Sequence, residues 1–95
     1  MMSEIPINRG KVSKENIDKE ILRTGLIAEL DAINLYEQLA DSTDNKDLKD
    51  ILMDIAKEEK THVGEFQALL LRMDKQQVEE LEAGREEVEE ELGKQ

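Results

Sequence analysis

The sequence predicts an all-α fold: an antiparallel hairpin of two long helices, followed by a shorter C-terminal helix. Three observations predict it. Apolar residues recur at helical spacing from Ile21 to Ala40 and again from Leu48 to Met73. Between them, the stretch DSTDN (Asp41 to Asn45) is dense in turn and capping residues. The 95 residues are 39% charged and 2% aromatic with one proline, a mix that favours long solvent-facing helices over a sheet.

Taken in order, residues 1–12 (MMSEIPINRGKV) carry Pro6 and Gly10 without clear periodicity and read as an extended arm. Ser13 is placed to cap a first helix running to about Asp41. A second helix follows to about Arg72. The two would be ~28 residues and ~42 Å long each, and the short loop makes them antiparallel. Residues 13–74 form this hairpin unit. Gly25 and Gly64 are expected where helices approach closely. Neither helix can bury its apolar stripe alone, and a core of this size is marginal. Two hairpins packed face to face, as a homodimer, would complete a four-helix bundle. Asp74, with Gln77 three residues on, resembles a capping box that opens a third helix over the acidic segment 75–95. There Val78, Leu81, Val88 and Leu92 make a narrow heptad-like seam, with Arg85 filling one step. Glu86 and Glu90 stand in like-charge spacing. The segment reads either as an arm lying on a neighbour or as a solvated tail.

Charge and composition exclude several function classes. A formal net charge of −11 repels nucleic acid and anionic membranes and attracts cations. The absence of cysteine excludes disulfides, thiolate metal sites, iron–sulfur clusters and a rubredoxin-type module. No apolar run is long enough to span a bilayer, and MMSEIPINRGK lacks the apolar core of a signal peptide. The expectation is a cytosolic protein.

The stretch KEEKTH (Lys57 to His62) holds the only histidine, with Glu59 one turn before it. On a wheel of 100° per residue with Glu29 as origin, Ile21, Leu22, Gly25, Leu26, Ala32, Ile33, Tyr36, Leu39 and Ala40 fall within about 80° on either side. Glu29 thus lies mid-stripe, and Asp31 falls on the opposite, wet side. With His62 as origin, Leu48, Ile51, Ile55, Phe66, Leu69 and Met73 share its arc, together with Glu58 and Glu59. An unpaired carboxylate on a core stripe costs several kcal/mol or stays protonated, so these groups need a partner. Alone, E-x-x-H in so acidic a chain is a weak signal, and a lone histidine on an apolar face is often a satisfied core residue. The hairpin adds a second fact. Glu29 and Glu59 each lie ~15 residues from the turn, which sets them opposite one another, with His62 ~4–5 Å further along. Tyr36 reads as a core aromatic, and Met53 and Met73 as gap-fillers.

Two carboxylates and one imidazole suit iron or manganese, and zinc fits as well. Four-helix di-iron sites take a Glu from each of two helices and a Glu-x-x-His from each of the other two. One chain supplies half of that set. A two-fold axis through the site would supply the rest. Four carboxylates then balance two divalent ions.

IAELDAINLYEQLA (Ile27 to Ala40) and AKEEKTHVGEFQALLL (Ala56 to Leu71) resemble the encapsulated ferritin family, two-helix half-ferritins of the ferritin-like superfamily. The resemblance covers roughly Ser13 to Asp74. It implies that Glu29, Glu59 and His62 are iron ligands of a ferroxidase centre, with Glu59 bridging two irons per dimer and Tyr36 beside the centre. It implies dimers assembled into a ring, Fe(II) oxidised by dioxygen or peroxide, and a place inside an encapsulin shell that stores the product. Some relatives carry a further glutamate, part of an outer metal site, where this chain has Ala28; Asp31 stands nearby as another acid. Glu58 and Asp31 have no assigned role. No cargo-peptide pattern is evident near EVEEELGKQ, so the chain resembles the N-terminal domain of a shell fusion more than a free cargo protein. A rubrerythrin-like peroxidase and a metal-stabilised helical assembly module are the alternative readings.

Overall fold

A computed structural model describes residues 16–94. They form three helices, α1 (Ile17–Asp41), α2 (Lys46–Met73) and α3 (Lys75–Leu92), with no strand among the described residues. The fold is all-α, as predicted. The expected arm and the Ser13 cap lie outside the described residues, and Asn16 occupies the N-cap position of α1.

The turn is built from the residues that announced it. Ser42 closes α1, its backbone N–H donating to Gln38 and Leu39 carbonyls at 3.1 Å and its hydroxyl to the Gln38 carbonyl at 2.8 Å. Asn45 caps α2 by accepting the Leu48 N–H at 3.0 Å, and its own N–H donates to Thr43 Oγ1 at 3.1 Å. Further along the hairpin, Lys60 pairs with Glu37 across the helices at 3.4 Å.

Where α1 meets α2, the sequence uses a seven-residue line. Ala56 and Leu70 are buried and Val63 between them is partly buried. This line lies about 100° around α2 from His62. The His62 stripe therefore lies at the margin of that contact, with Phe66 against Gly25 of α1 and most of its other apolar residues open. Leu48, Ile51, Leu69 and Met73 on that stripe are 49%, 59%, 47% and 47% exposed, and Ile21 and Leu39 of α1 are 48% and 42% exposed. Among the described residues the buried apolar core is only Leu22, Ala40, Ala56 and Leu70. The chain's radius of gyration is 16.7 Å, against about 12 Å for a compact domain of this length. The hairpin is a half-built core with one apolar face open.

Asp31 corrects the wheel. It is 6% exposed, not on a wet face. A wheel reports direction relative to α2 only. Ile27 and Leu35, one turn to either side of Asp31, are also partly buried, so this second face of α1 is covered. Asp31 itself is engaged in an interaction. The glycines divide. A Cβ on Gly25 would stand 2.8 Å from Phe66 Cε1, so the close approach is real there. Gly64 has nothing within 4 Å, and the close approach expected at it is not found among the described residues.

Asp74 organises the far end. It ends α2, caps α3 by accepting the Gln77 N–H at 3.0 Å, and accepts from Arg23 Nη2 of α1 at 3.0 Å. The chain turns there into α3, whose Gln77 and Leu81 share a cleft with Leu26 and Leu70 of the hairpin. Its seam is uncovered: Val78, Leu81, Val88 and Leu92 are 45%, 44%, 57% and 82% exposed. Despite the glutamates, α3 is a full helix. Arg85 pairs with Glu82 and Glu89 on its own helix, which raises the guanidinium pKa further and lowers that of Glu82. Gly93 ends α3 at φ 83°, a conformation glycine adopts without strain.

Two outcomes follow from this frame. Hydrogen bonding from the Gln77 N–H, aided by Lys19 and Arg23, holds the Asp74 carboxyl below its ordinary value of 3.8. A depressed folded pKa gives stability that is present above the unfolded value and lost as pH falls through the folded one. The difference in melting temperature between the wild type and D74A should be constant from neutral pH to about 5 and shrink below about 4. Circular dichroism at a series of pH values checks this. Second, G64A should raise stability by about 0.5–1 kcal/mol through helix propensity alone, read by chemical denaturation.

Candidate metal centre

Glu29 projects from the middle of the α1 stripe that faces α2. Glu59 and His62 come from one turn of α2, on the edge where the contact with α1 gives way to the open face. The level arithmetic holds. His62 Nδ1 lies 3.3 Å from Glu29 Oε2 and 3.5 Å from Glu59 Oε2. One donor atom from each of the three residues lies within 4.8 Å of the others. The Glu29 and Glu59 side chains are each 19% exposed, and that of His62 is 45% exposed. The carboxylates lean inward and the imidazole rims the opening.

An ionised carboxylate only accepts hydrogen bonds. The ring nitrogen Nδ1 of His62 faces both carboxylates, in the middle of the trio, and is in hydrogen-bonding contact with Glu29. That central position is where a cation would be met by two oxygens and a nitrogen. The donor set fits a divalent iron or manganese ion, with zinc also accommodated. It contains no thiolate, as the cysteine-free sequence requires.

Beside the trio is a cleft of about 280 Å3 lined by Glu29, His62, Glu65, Phe66 and Leu69. Glu65 is absent from the sequence-based candidates. Its signal was there, since it lies one turn beyond His62 and about 60° from it on the wheel. Tyr36 stands on the Glu29 face of α1, two turns or about 10 Å along the axis. It is partly buried and makes no hydrogen bond among the described residues. Glu58 is exposed, and neither it nor Asp31 is part of the trio.

Comparison with known proteins places this geometry. A model of the EncFtn-like family matches residues 5–84, beyond both ends of the segment that carries the resemblance. The chain belongs to the EncFtn-like family. Its relatives include a ferritin-like–encapsulin shell fusion protein of Pyrococcus furiosus, 55% identical over 87 residues, which cover 92% of this chain and 25% of that protein. Encapsulin nanocompartment cargo protein EncC of Myxococcus xanthus is 42% identical over 69 residues, 70% of this chain and 53% of the relative. This EncFtn-like chain thus spans about a quarter and about half of the lengths of these two relatives. Among solved structures, the encapsulated ferritin domain from Pyrococcus furiosus matches with a TM-score of 0.85 and 52% identity, over 100% of this chain and 99% of that one. The hairpin with its outlying third helix is therefore an encapsulated-ferritin fold.

Metal linkage tests the centre without reference to catalysis. Co(II) at a hundred times its dissociation constant should stabilise the EncFtn-like chain by about 2.7 kcal/mol. H62A and E59Q should lose most of that gain. Calorimetric melting with and without the metal checks the expectation.

Proposed function

We propose that this chain is a ferroxidase module whose substrate is Fe(II), and that its working site is shared by two chains. The observation that carries the reading is the Glu29–Glu59–His62 trio at the edge of an uncovered apolar face. A metal site complete within one chain would have no need of that position. Two copies related by a two-fold axis would double the set to four glutamates and two histidines, the composition of four-helix di-iron sites. The same packing would bury Ile51, Leu69 and their neighbours. Family membership supports iron as the metal. The names of the two relatives support association with an encapsulin shell, within which the Fe(III) product would be stored. Assembly of the dimers into a ring belongs to the same reading.

In this reading the chain's residues do three things. Glu29 and Glu59 neutralise the bound cations, and across the dimer four carboxylates match two divalent ions. Glu59 is the group that the family resemblance assigns to bridge the pair. His62 supplies the neutral donor. Two Fe(II) release two electrons. With two protons these reduce dioxygen to hydrogen peroxide, or hydrogen peroxide to water. Tyr36, which the resemblance sets beside the centre, lies two turns away on the same face and is not assigned as a metal ligand.

Anaerobic Fe(II) titration followed by oxygen tests the activity. Uptake near one iron per chain and a rise in Fe(III) absorbance are expected, with H62A and E59A slower by about 100-fold or more. Binding without turnover, with zinc serving equally well, would instead identify a structural assembly module. A strong preference for peroxide together with an external electron donor would identify the rubrerythrin-like alternative. Sedimentation velocity provides the assembly arm. Iron should shift the chain toward dimers and larger species, and I51E should abolish that shift.

A further inference from the structure

Gly25 and Phe66 occupy matching places around the trio. Gly25 lies one turn before Glu29 on α1, and Phe66 lies one turn after His62 on α2. Because the helices are antiparallel, both sit at one level, a single turn along the hairpin from the ligands. A Cβ built on Gly25 would stand 2.8, 2.9 and 3.0 Å from Phe66 Cε1, Cζ and Cδ1. The phenyl ring is thus seated against bare α1 backbone, in a notch only glycine provides. The other side of the ring lines the cleft that Glu29 and His62 also line. Glycine in a helix interior costs roughly 1 kcal/mol relative to alanine, so this notch is held against helix propensity.

We infer that the Gly25 notch and the Phe66 ring form a spacer that sets the separation of α1 and α2 at the metal centre, and with it the 3.3 Å between Glu29 and His62. Both are positioning residues and donate nothing to the metal. A methyl group at position 25 has two outlets. The ring swings into the cleft toward His62, or α1 lifts away from α2. Packed interiors absorb such overlap by shifting neighbours, and here the neighbours one turn away are the ligands. The three near atoms belong to one rigid ring, so the ring moves as a unit.

A double-mutant cycle on the full chain tests this: wild type, G25A, F66L and G25A/F66L. Two readouts are taken: the Glu29–His62 separation in metal-free crystal structures, and Co(II) affinity by titration calorimetry. The spacer predicts that G25A opens the 3.3 Å contact beyond hydrogen-bonding range and weakens Co(II) binding about 10-fold or more. In the F66L background, adding G25A should change affinity by less than about threefold, because the obstructing ring is gone. Equal effects of Gly25→Ala in both backgrounds, or an unchanged separation in G25A, would overturn the inference. Should G25A fail to fold, recovery of folding in G25A/F66L supports the same contact, and failure of both overturns it. The metal-free structures keep this test separate from the proposed function. A wild type that binds no metal would refute the ferroxidase reading while leaving the spacer result standing.

Discussion

The structure turns on a conflict between charge and burial. Two carboxylates and an imidazole share one height on helix faces that are otherwise apolar. In water each would be solvated separately. On the inner edge of a hairpin they have mainly each other, and the imidazole brings at most one positive charge against two negative ones. A divalent cation resolves the imbalance better than any side chain in the vicinity, since it also satisfies the lone pairs of both carboxylates. Lys60, next to Glu59 in the sequence, is paired with Glu37 of α1.

The architecture around the trio follows from the same constraint. The hairpin buries Ala56 and Leu70 to one side of the site and packs Phe66 against Gly25 one turn from it. The ligand stripe is left pointing along an open apolar face. A single chain of this length is too small to cover that face from within. Chemistry and stability therefore ask for the same remedy, a second hairpin on the same surface. Metal and partner are then coupled by mass action: whatever binds only the assembled form favours assembly. The Asp74 corner ends α2 and starts α3, whose apolar seam is largely exposed.

Much of this was legible in the sequence, for identifiable reasons. The hairpin followed from two strong helical periods and a loop of cap residues, and Asp74 with Gln77 marked the start of α3 to the residue. The trio followed because an antiparallel hairpin converts equal distances from a turn into equal heights. The wheel failed where packing is not two-sided. Asp31 is buried although it lies opposite the apolar stripe of α1, and periodicity about one stripe carries no information about what covers another face. Gly64 shows the same limit, since glycine signals possible close approach without naming what approaches. Glu65 lies outside the E-x-x-H spacing, although it stands one turn further along the same stripe. The direction of α3 was also beyond reach, because a backbone turn at one aspartate sets it.

The central claim is that the trio is half of a site completed by a second chain. Anomalous diffraction from crystals grown with Fe(II) or Mn(II) tests it most directly. Two ions about 3.5–4 Å apart, surrounded by Glu29, Glu59 and His62 from each of two chains, is the predicted result. A single ion held by one chain, or metal bound elsewhere with the three side chains left as they stand, would contradict it.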